Sequence, residues 1–335
     1  MSETESPKIW VLVDERRGTA NQALGVAEAL GQLTGVAFEV RDVCHGPLAR
    51  LPNILLGASR LGMTAETAAA LAPPWPDLVI AAGRRAGAVA RWIKKQTKGA
   101  ANLVQIMHPG AVGAAEYDLI VAPSHDGARG ANVMEISGAP HGIGDVALSA
   151  ASERWRDHFS GFAKPTVGLI LGGATIRRPF TAEDGRLLGS VAALAVKQAG
   201  GSLVVTSSPR TGEALDGALA GIAAAGIAAA GIEPALAYRW GGGGDNPYLG
   251  FIALCDALIV TGDSVSMLCE ACAGSQPVYL YAPPGFVTAK HARLHRELIG
   301  GGYVRAFEGR IESWTHAKLN EAGRVAEEIK RRFLS

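Results

Sequence analysis

The chain has 335 residues, 48% of them hydrophobic and 19% charged, and a formal net charge of +1. That length suits two domains of about 150 residues each, and the apolar content is enough for two cores, which excludes a disordered chain. The near balance of charge excludes a nucleic-acid binder whose affinity rests on neutralising phosphates.

The acidic start, Met-Ser-Glu-Thr-Glu-Ser-Pro, runs into an apolar strand from Ile9 without the pattern of a secretory signal, so a cytoplasmic protein is expected. Short apolar runs then alternate with helical patterns down the whole chain, which argues for an α/β protein with parallel sheets wrapped by helices. In the first half, strands are predicted over 9–13, 36–41, 78–82, 103–107 and 119–122. In the second they fall at 167–171, 203–206, 257–261 and 278–281, with a weaker run at 235–238. The pattern restarts with a buried strand after Lys164-Pro165, which places the domains at 1–162 and 163–311. Residues 312–335 carry Leu319, Ala322, Ala326, Ile329 and Phe333 as one helical stripe, expected to face a core rather than a membrane.

The run from Gly217 to Ile232, containing "GIAAAGIAAAGI", is shorter than the roughly 20 residues needed to span a bilayer and reads as a soluble helical or irregular segment. No transmembrane segment is expected, and peripheral contact with a membrane stays open. Of the four cysteines, Cys44, Cys255, Cys269 and Cys272, the last two have C-x-x-C spacing. No second Cys or His pair accompanies them and they fall inside a predicted helix. Buried thiols in a reducing compartment are expected, and no metal.

In doubly wound sheets, ligands bind beyond the carboxyl ends of the strands. In the first half those positions hold Gly18, Asn21, Gln22, Arg84, Arg85 and Asp126, taken as the side that receives an acceptor. Asn21 and Gln22, at a helix start, are neutral hydrogen-bonders suited to a polar substrate. His108, His125 and His141 each follow a strand, and one of them at most is expected to act as general base. "DERRGTANQALGVAEAL" lacks the full G-x-G-x-x-G pattern, so NAD is not expected.

In the second half, Gly172 and Gly173 follow a nearly pure aliphatic strand and would let a backbone approach a phosphate. Arg210 follows Thr206-Ser207-Ser208 and could clamp a diphosphate with its planar fork, with Arg177 and Arg178 as alternatives. "TGDSVSMLCEA" turns from strand to helix near Asp263 or Ser264, where free backbone N–H groups favour an anion. Ser266 and Glu270 share one helix face at four apart, as Asp263 and Glu270 do at seven. Glu270 is then placed to accept both hydrogens of a ribose cis-diol. The same residues also fit a plain N-cap followed by a solvated acid. "GGGGDNP" before residue 248 reads as a loop and a helix start capped by Asp245 or Asn246. Two sheets with polar, glycine-rich loops at one edge predict two Rossmann-like domains facing a central cleft.

Several stretches together, "GTANQALGVAEAL", "PDLVIAAGRRAGAVARWIK", "LVQIMHPG", "LIVAPSHD", "GAPHG", "LILGGAT", "TSSPRT" and "NPYLGFIALCDALIVTGDSVSMLCEA", resemble the mitochondrial-fission "elongated mitochondria" family. Its bacterial members are often labelled predicted nucleoside-diphosphate-sugar epimerases, and the family is in turn similar to GT-B glycosyltransferases. The resemblance implies a nucleotide-diphosphate sugar bound mainly by the second domain, with Glu270 on the ribose and Ser264 and Ser266 near the diphosphate. Gly172, Gly173 and Arg210 would line the cleft, and the last helix would pack back on the first domain. It implies metal-independent sugar transfer to an unknown acceptor with no tightly bound cofactor, or a non-catalytic scaffold that recruits a protein partner and keeps a relic or regulatory nucleotide site. Relatives carry a histidine where this chain has Thr19, and a second arginine where it has Pro209. An NAD-using epimerase is not expected, because neither the dinucleotide fingerprint nor a Tyr/Lys pair is found.

Overall fold

The computed structural model describes residues 6–175, 178–227 and 234–334. The chain divides into two compact units, Met1–Gly142 with Asn320–Ser335, and Ile143–Leu319.

The first unit runs through β1 (Ile9–Val13), α1 (Arg17–Thr34), β2 (Phe38–Asp42), α2 (Asn53–Leu56), α3 (Ala65–Ala70), β3 (Leu78–Ala82), α4 (Gly83–Gln96), β4 (Asn102–Ile106), β5 (Leu119–Pro123) and β6 (Val133–Ile136). Its sheet is parallel throughout, in the order β2-β1-β3-β4-β5-β6. The unbroken aliphatic strands "IWVLV" and "LVIAA" are what a parallel sheet covered on both faces demands. Alternation along each strand feeds two cores. Val11, Ile80 and Val104 meet Val26 and Leu30 of α1, while Trp10, Leu12 and Val79 meet Val89 and Ile93 of α4.

The second unit runs through α5 (Asp145–Phe159), β7 (Thr166–Leu171), α6 (Ala182–Gln198), β8 (Ser202–Ser207), α7 (Ala214–Ile227), β9 (Leu236–Tyr238), α8 (Tyr248–Leu254), β10 (Ala257–Thr261), α9 (Val265–Ala271), β11 (Val278–Tyr281), α10 (Ala289–Gly300) and β12 (Arg305–Ala306). Its sheet is also parallel, in the order β12-β11-β10-β7-β8-β9. The last helix, α11 (Glu321–Phe333), belongs to the first unit, where Ala322, Val325, Ala326 and Ile329 join the core under α1. Its apolar stripe therefore faces protein.

Three features differ from the sequence reading. β6 and β12 were not anticipated, because β6 has four residues with one exposed acid and β12 has two exposed residues, too little for an apolar pattern. The division falls at Gly142 rather than 162, because α5 packs on α8 of the second unit: the Phe159 and Phe251 rings are 6.0 Å apart, and a Cβ on Gly250 would come within 2.6 Å of Trp155. Residues 312–319 are not helical and stay with the second unit, where the Leu319 amide donates to the Cys272 carbonyl at 2.8 Å.

The Ala/Gly run has a structural reason as far as it is described. Through residue 227 it is α7, and α7 lies backbone to backbone on α6. A Cβ on Gly217 would sit 1.9 Å from the Ala182 carbonyl oxygen, and one on Gly221 2.1 Å from that of Arg186. Reciprocally, a Cβ on Gly185 would sit 2.0 Å from the Ala214 oxygen, and one on Gly189 2.1 Å from that of Ala218. Residues 228–233 lie outside the described residues. Cys255, Cys269 and Cys272 are buried free thiols, and Cys44 is an exposed one. Among the described residues no helix is long and apolar enough to cross a membrane.

Candidate functional site

The second unit brings its sequence-predicted residues together at the carboxyl ends of β7, β8 and β10. The strands end in Leu171, Ser207 and Thr261, and the chain after each turns toward the others. Asp263 is the tie. Its carboxylate accepts the Gly173 amide at 2.8 Å and the Thr261 hydroxyl at 2.8 Å, and lies 3.4 Å from Arg210 Nη2. Thr261 Oγ1 in turn accepts the Gly172 amide at 2.7 Å. Burial pushes the Asp263 carboxyl up from its ordinary range, against the Gly173 amide and the Thr261 hydroxyl, which favour the anion.

The glycines answer to this packing. A Cβ on Gly172 would fall 2.2 Å from Asp263 Oδ1, and one on Gly173 would fall 2.1 Å from the Arg210 carbonyl carbon. The glycine pair is therefore required by the approach of its own neighbouring loops. Ser208 Oγ donates to the Gly172 carbonyl at 2.9 Å, and Thr211 Oγ1 donates to the Leu171 carbonyl at 3.0 Å, so the β8 loop is stitched to the β7 loop as well. Arg210 spends part of its fork on the Ala174 carbonyl at 3.2 Å and on Asp263, and the rest of the half-exposed guanidinium faces solvent. Arg178 is exposed and its amide donates to the Thr175 carbonyl at 3.2 Å, while Arg177 lies outside the described residues.

Helix α9 follows directly. Ser264 is its N-cap and accepts the Met267 amide at 3.4 Å. Asp263 therefore precedes the helix and turns back to the β7 loop, so the expected common helix face of Asp263 and Glu270 does not exist. Ser266 and Glu270 are both half-buried on α9. One Glu270 oxygen accepts the Tyr248 hydroxyl at 2.6 Å. Burial raises the Glu270 carboxyl, the Tyr248 bond opposing it, and burial beside Glu270 holds Tyr248 protonated. His295 supports the turn from behind, with Nε2 2.9 Å from the Gly262 carbonyl. Burial depresses His295 to about 4, so the ring is neutral and Nε2–H is the donor. Sequence reasoning missed Thr211, Tyr248 and His295. Their partners are 22 to 40 residues away, and only the folded sheet edge joins them.

The first unit presents a different edge. Gly18 and Asn21 are exposed and Gln22 half-buried on the first turns of α1. Thr19 packs on the start of α4, where a Cβ on Gly83 would lie 2.7 Å from its methyl. Arg84 donates to the Leu51 carbonyl at 2.6 Å and the Ala49 carbonyl at 2.9 Å, so it braces the loop after β2. Arg85 lies 3.9 Å from Glu15, which also accepts the His45 amide at 2.7 Å. Donor atoms of Asp14, Glu15 and His45 lie within 4.8 Å of one another, a grouping of metal-ligand composition that sequence spacing did not reveal. His108 follows β4 and accepts the Gly110 amide on Nδ1 at 3.2 Å. His125 lies 3.6 Å from Asp126 in the turn after β5. His141 is buried beside Gly142, whose backbone rests on Gly25 of α1.

Comparison with known proteins bears on the fold. A UDP-GlcNAc 2-epimerase from Methanocaldococcus jannaschii is similar in structure at a TM-score of 0.53 with 12% identity, over 97% of this chain and 98% of that one. The same enzyme solved in complex with UDP-GlcNAc and UDP superposes at 0.51, again at 12% identity and over 97% and 98% of the two chains. The glycotransferase of kitacinnamycin also superposes at 0.51 with 12% identity, over 98% of this chain and all of that one (100%). The two six-stranded parallel sheets thus share the GT-B-like frame of these proteins. In sequence, the chain is 27% identical to the uncharacterized protein RP120 of Rickettsia prowazekii (strain Madrid E), over 96% of this chain and 97% of that one. It is 29% identical to the mitochondrial fission protein ELM1 of Arabidopsis thaliana over 76% of this chain, a match that spans 64% of the plant protein. The family described as Mitochondrial fission ELM1 matches residues 17–333, and the chain belongs to that family.

Proposed function

We propose that the second unit binds a nucleotide-diphosphate sugar and that the protein transfers the sugar to an acceptor without a metal. The observation that carries this reading is Glu270: a half-buried carboxylate in the last turn of the helix after β10, with one oxygen fixed by Tyr248. A carboxylate held in that way suits a ribose diol, and the half-exposed Arg210 fork suits a diphosphate. Fold neighbours support the same ligand class, since one of them was solved with UDP-GlcNAc and UDP. Departure of the nucleotide diphosphate would be assisted by fixed dipoles and Arg210 rather than by a metal.

The test is thermal unfolding of the protein against uridine, guanosine, adenosine and cytidine diphosphate sugars. A ligand at a hundred times its Kd adds about 2.7 kcal/mol. Glu270→Gln should weaken binding about 10- to 100-fold through loss of charge-assisted hydrogen bonds. If one nucleotide stabilises the protein and Glu270→Gln leaves its affinity unchanged, the ribose assignment is wrong. A second reading, a recruitment protein with a relic nucleotide site, is favoured by the similarity to the plant fission protein. It predicts binding without release of free nucleotide diphosphate under any acceptor. A UDP-sugar epimerase, whose fold is shared, would instead interconvert sugars with the nucleotide still attached.

A further inference from the structure

We propose that the loop between β2 and α3 of the first unit is a surface that docks on a bilayer carrying acidic lipids. The segment "GPLARLPNILLGASRLG", residues 46–62, turns four aliphatic side chains outward: Leu48 is 49% exposed, Ile54 72%, Leu55 60% and Leu61 48%. Large aliphatics exposed together within fifteen residues are an interaction surface rather than scattered surface leucines.

The loop is built to hold them there. Ala49 and Leu56 point inward and are buried, which leaves their neighbours Leu48 and Leu55 facing out. Arg84 grips the carbonyls of Ala49 and Leu51 from below. At the base, the Gly46 amide donates to Gly62 at 3.0 Å, the Thr64 amide to Cys44 at 3.1 Å, and the Cys44 amide to the Thr67 hydroxyl at 3.1 Å. Ser59 pins the end of α2 by donating to the Leu56 carbonyl at 2.5 Å. The aliphatics are thus displayed on a hydrogen-bonded platform.

Charge decides the occupant. From Val43 to Ala65 the sequence contains Arg50 and Arg60 and no carboxylate, and the exposed Asp42 and Glu66 stand at the two ends of the loop, where it joins β2 and α3. Both arginines are exposed, Arg60 with its guanidinium 5.3 Å from the Trp92 ring. Glu15, which reaches this loop from another element, is engaged by His45 and lies beside Arg85. Aliphatic side chains flanked by cations along the loop, with the carboxylates at its base, match the interface of an acidic bilayer, where the aliphatics enter the acyl boundary and the arginines meet headgroups. This surface is independent of the nucleotide-sugar reading, because it lies in the first unit and its test contains no nucleotide.

The experiment is co-sedimentation of the full chain with phosphatidylcholine vesicles, with and without phosphatidylglycerol. The protein should partition onto the acidic vesicles, much less onto the neutral ones, and come off as salt rises. Ile54→Ser with Leu55→Ser should lower partition by about tenfold per side chain. Arg50→Gln with Arg60→Gln should lower it about fivefold per arginine and remove the preference for acidic lipid. All four side chains are exposed, so the fold should survive, as unchanged thermal unfolding would confirm. Absence of binding to acidic vesicles, or variants that bind like the parent chain, would overturn the proposal. So would sedimentation velocity showing a dimer that Ile54→Ser with Leu55→Ser dissociates, together with no vesicle binding; the surface would then serve a second copy.

Discussion

Gly217→Ala is the sharpest test of the second unit's architecture, because two physical effects of opposite sign compete there. On an isolated helix the change stabilises by about 0.8–1.0 kcal/mol, since alanine is the better helix former. In the α6–α7 pair the new methyl would fall 1.9 Å from the Ala182 carbonyl oxygen. An unstrained C···O contact needs about 3.3 Å, so the helices would have to part by more than an ångström. Overpacking of that kind costs about 1–3 kcal/mol, and separation also loosens the reciprocal Gly185 contact. The net expectation is destabilisation by about 1–2 kcal/mol, a fall in Tm of about 2–8 °C for a unit of this size. Gly300→Ala, on α10 with open space around its Cβ, supplies the control and should be neutral or slightly stabilising. Urea and thermal unfolding of the three proteins measure both. If Gly217→Ala raises stability as the control does, α7 does not rest on α6 backbone to backbone, and the account of the Ala/Gly run fails.

Two further outcomes follow from single side chains. His295 is held neutral, with its folded pKa depressed to about 4 from an ordinary value of 6.5. Its contribution is complete above pH 6.5 and is lost as pH falls toward 4, up to about 3 kcal/mol. His295→Gln should therefore flatten the pH dependence of urea unfolding between 7 and 4; equal slopes in both proteins would show that the ring does not sit against Gly262 as described. Arg84→Gln removes two charged donors from the Ala49 and Leu51 carbonyls. It should cost about 1–3 kcal/mol and speed amide exchange within 47–51 before the β3 amides are affected. Unchanged exchange in that loop would remove Arg84 from its bracing role.

The central strands β1, β3 and β10 were legible because each is an almost unbroken apolar run, the signature a two-sided parallel sheet imposes. β12 was not, since two exposed residues carry no pattern and pair only because β11 is already there. The domain edge was misplaced for a related reason. Trp155 and Phe159 mark α5 as amphipathic, but nothing local says that Gly250 and Phe251, ninety residues on, are what they cover. In the site, residue types were readable and pairings were not. Gly172, Gly173, Arg210 and Asp263 stood out as loop residues after strands, yet the hydrogen bonds from Arg210 and Gly173 to Asp263 span 53 and 90 residues. The spacing rule that put Asp263 on the face of Glu270 failed because it assumed a helix one residue too early. The capping serine starts the helix at Ser264 and leaves Asp263 outside it, turned back to the Gly173 amide.

What the first unit offers in chemistry narrows once the histidines are considered by atom. A backbone N–H can only donate, so the Gly110 amide makes His108 Nδ1 the acceptor and leaves the proton of the neutral ring on Nε2. In that tautomer His108 presents a donor, suited to hold an acceptor oxygen and unsuited to deprotonate it. The ring of His125 is almost fully covered and lies 3.6 Å from Asp126. His141 is buried, and Thr19, pressed against Gly83, has no titratable group. The second unit, by contrast, has its polar groups fixed before any ligand arrives, Asp263 locking two loops and Tyr248 setting one oxygen of Glu270. For the sugar transfer proposed above, such a frame would act through binding and through stabilising a departing diphosphate.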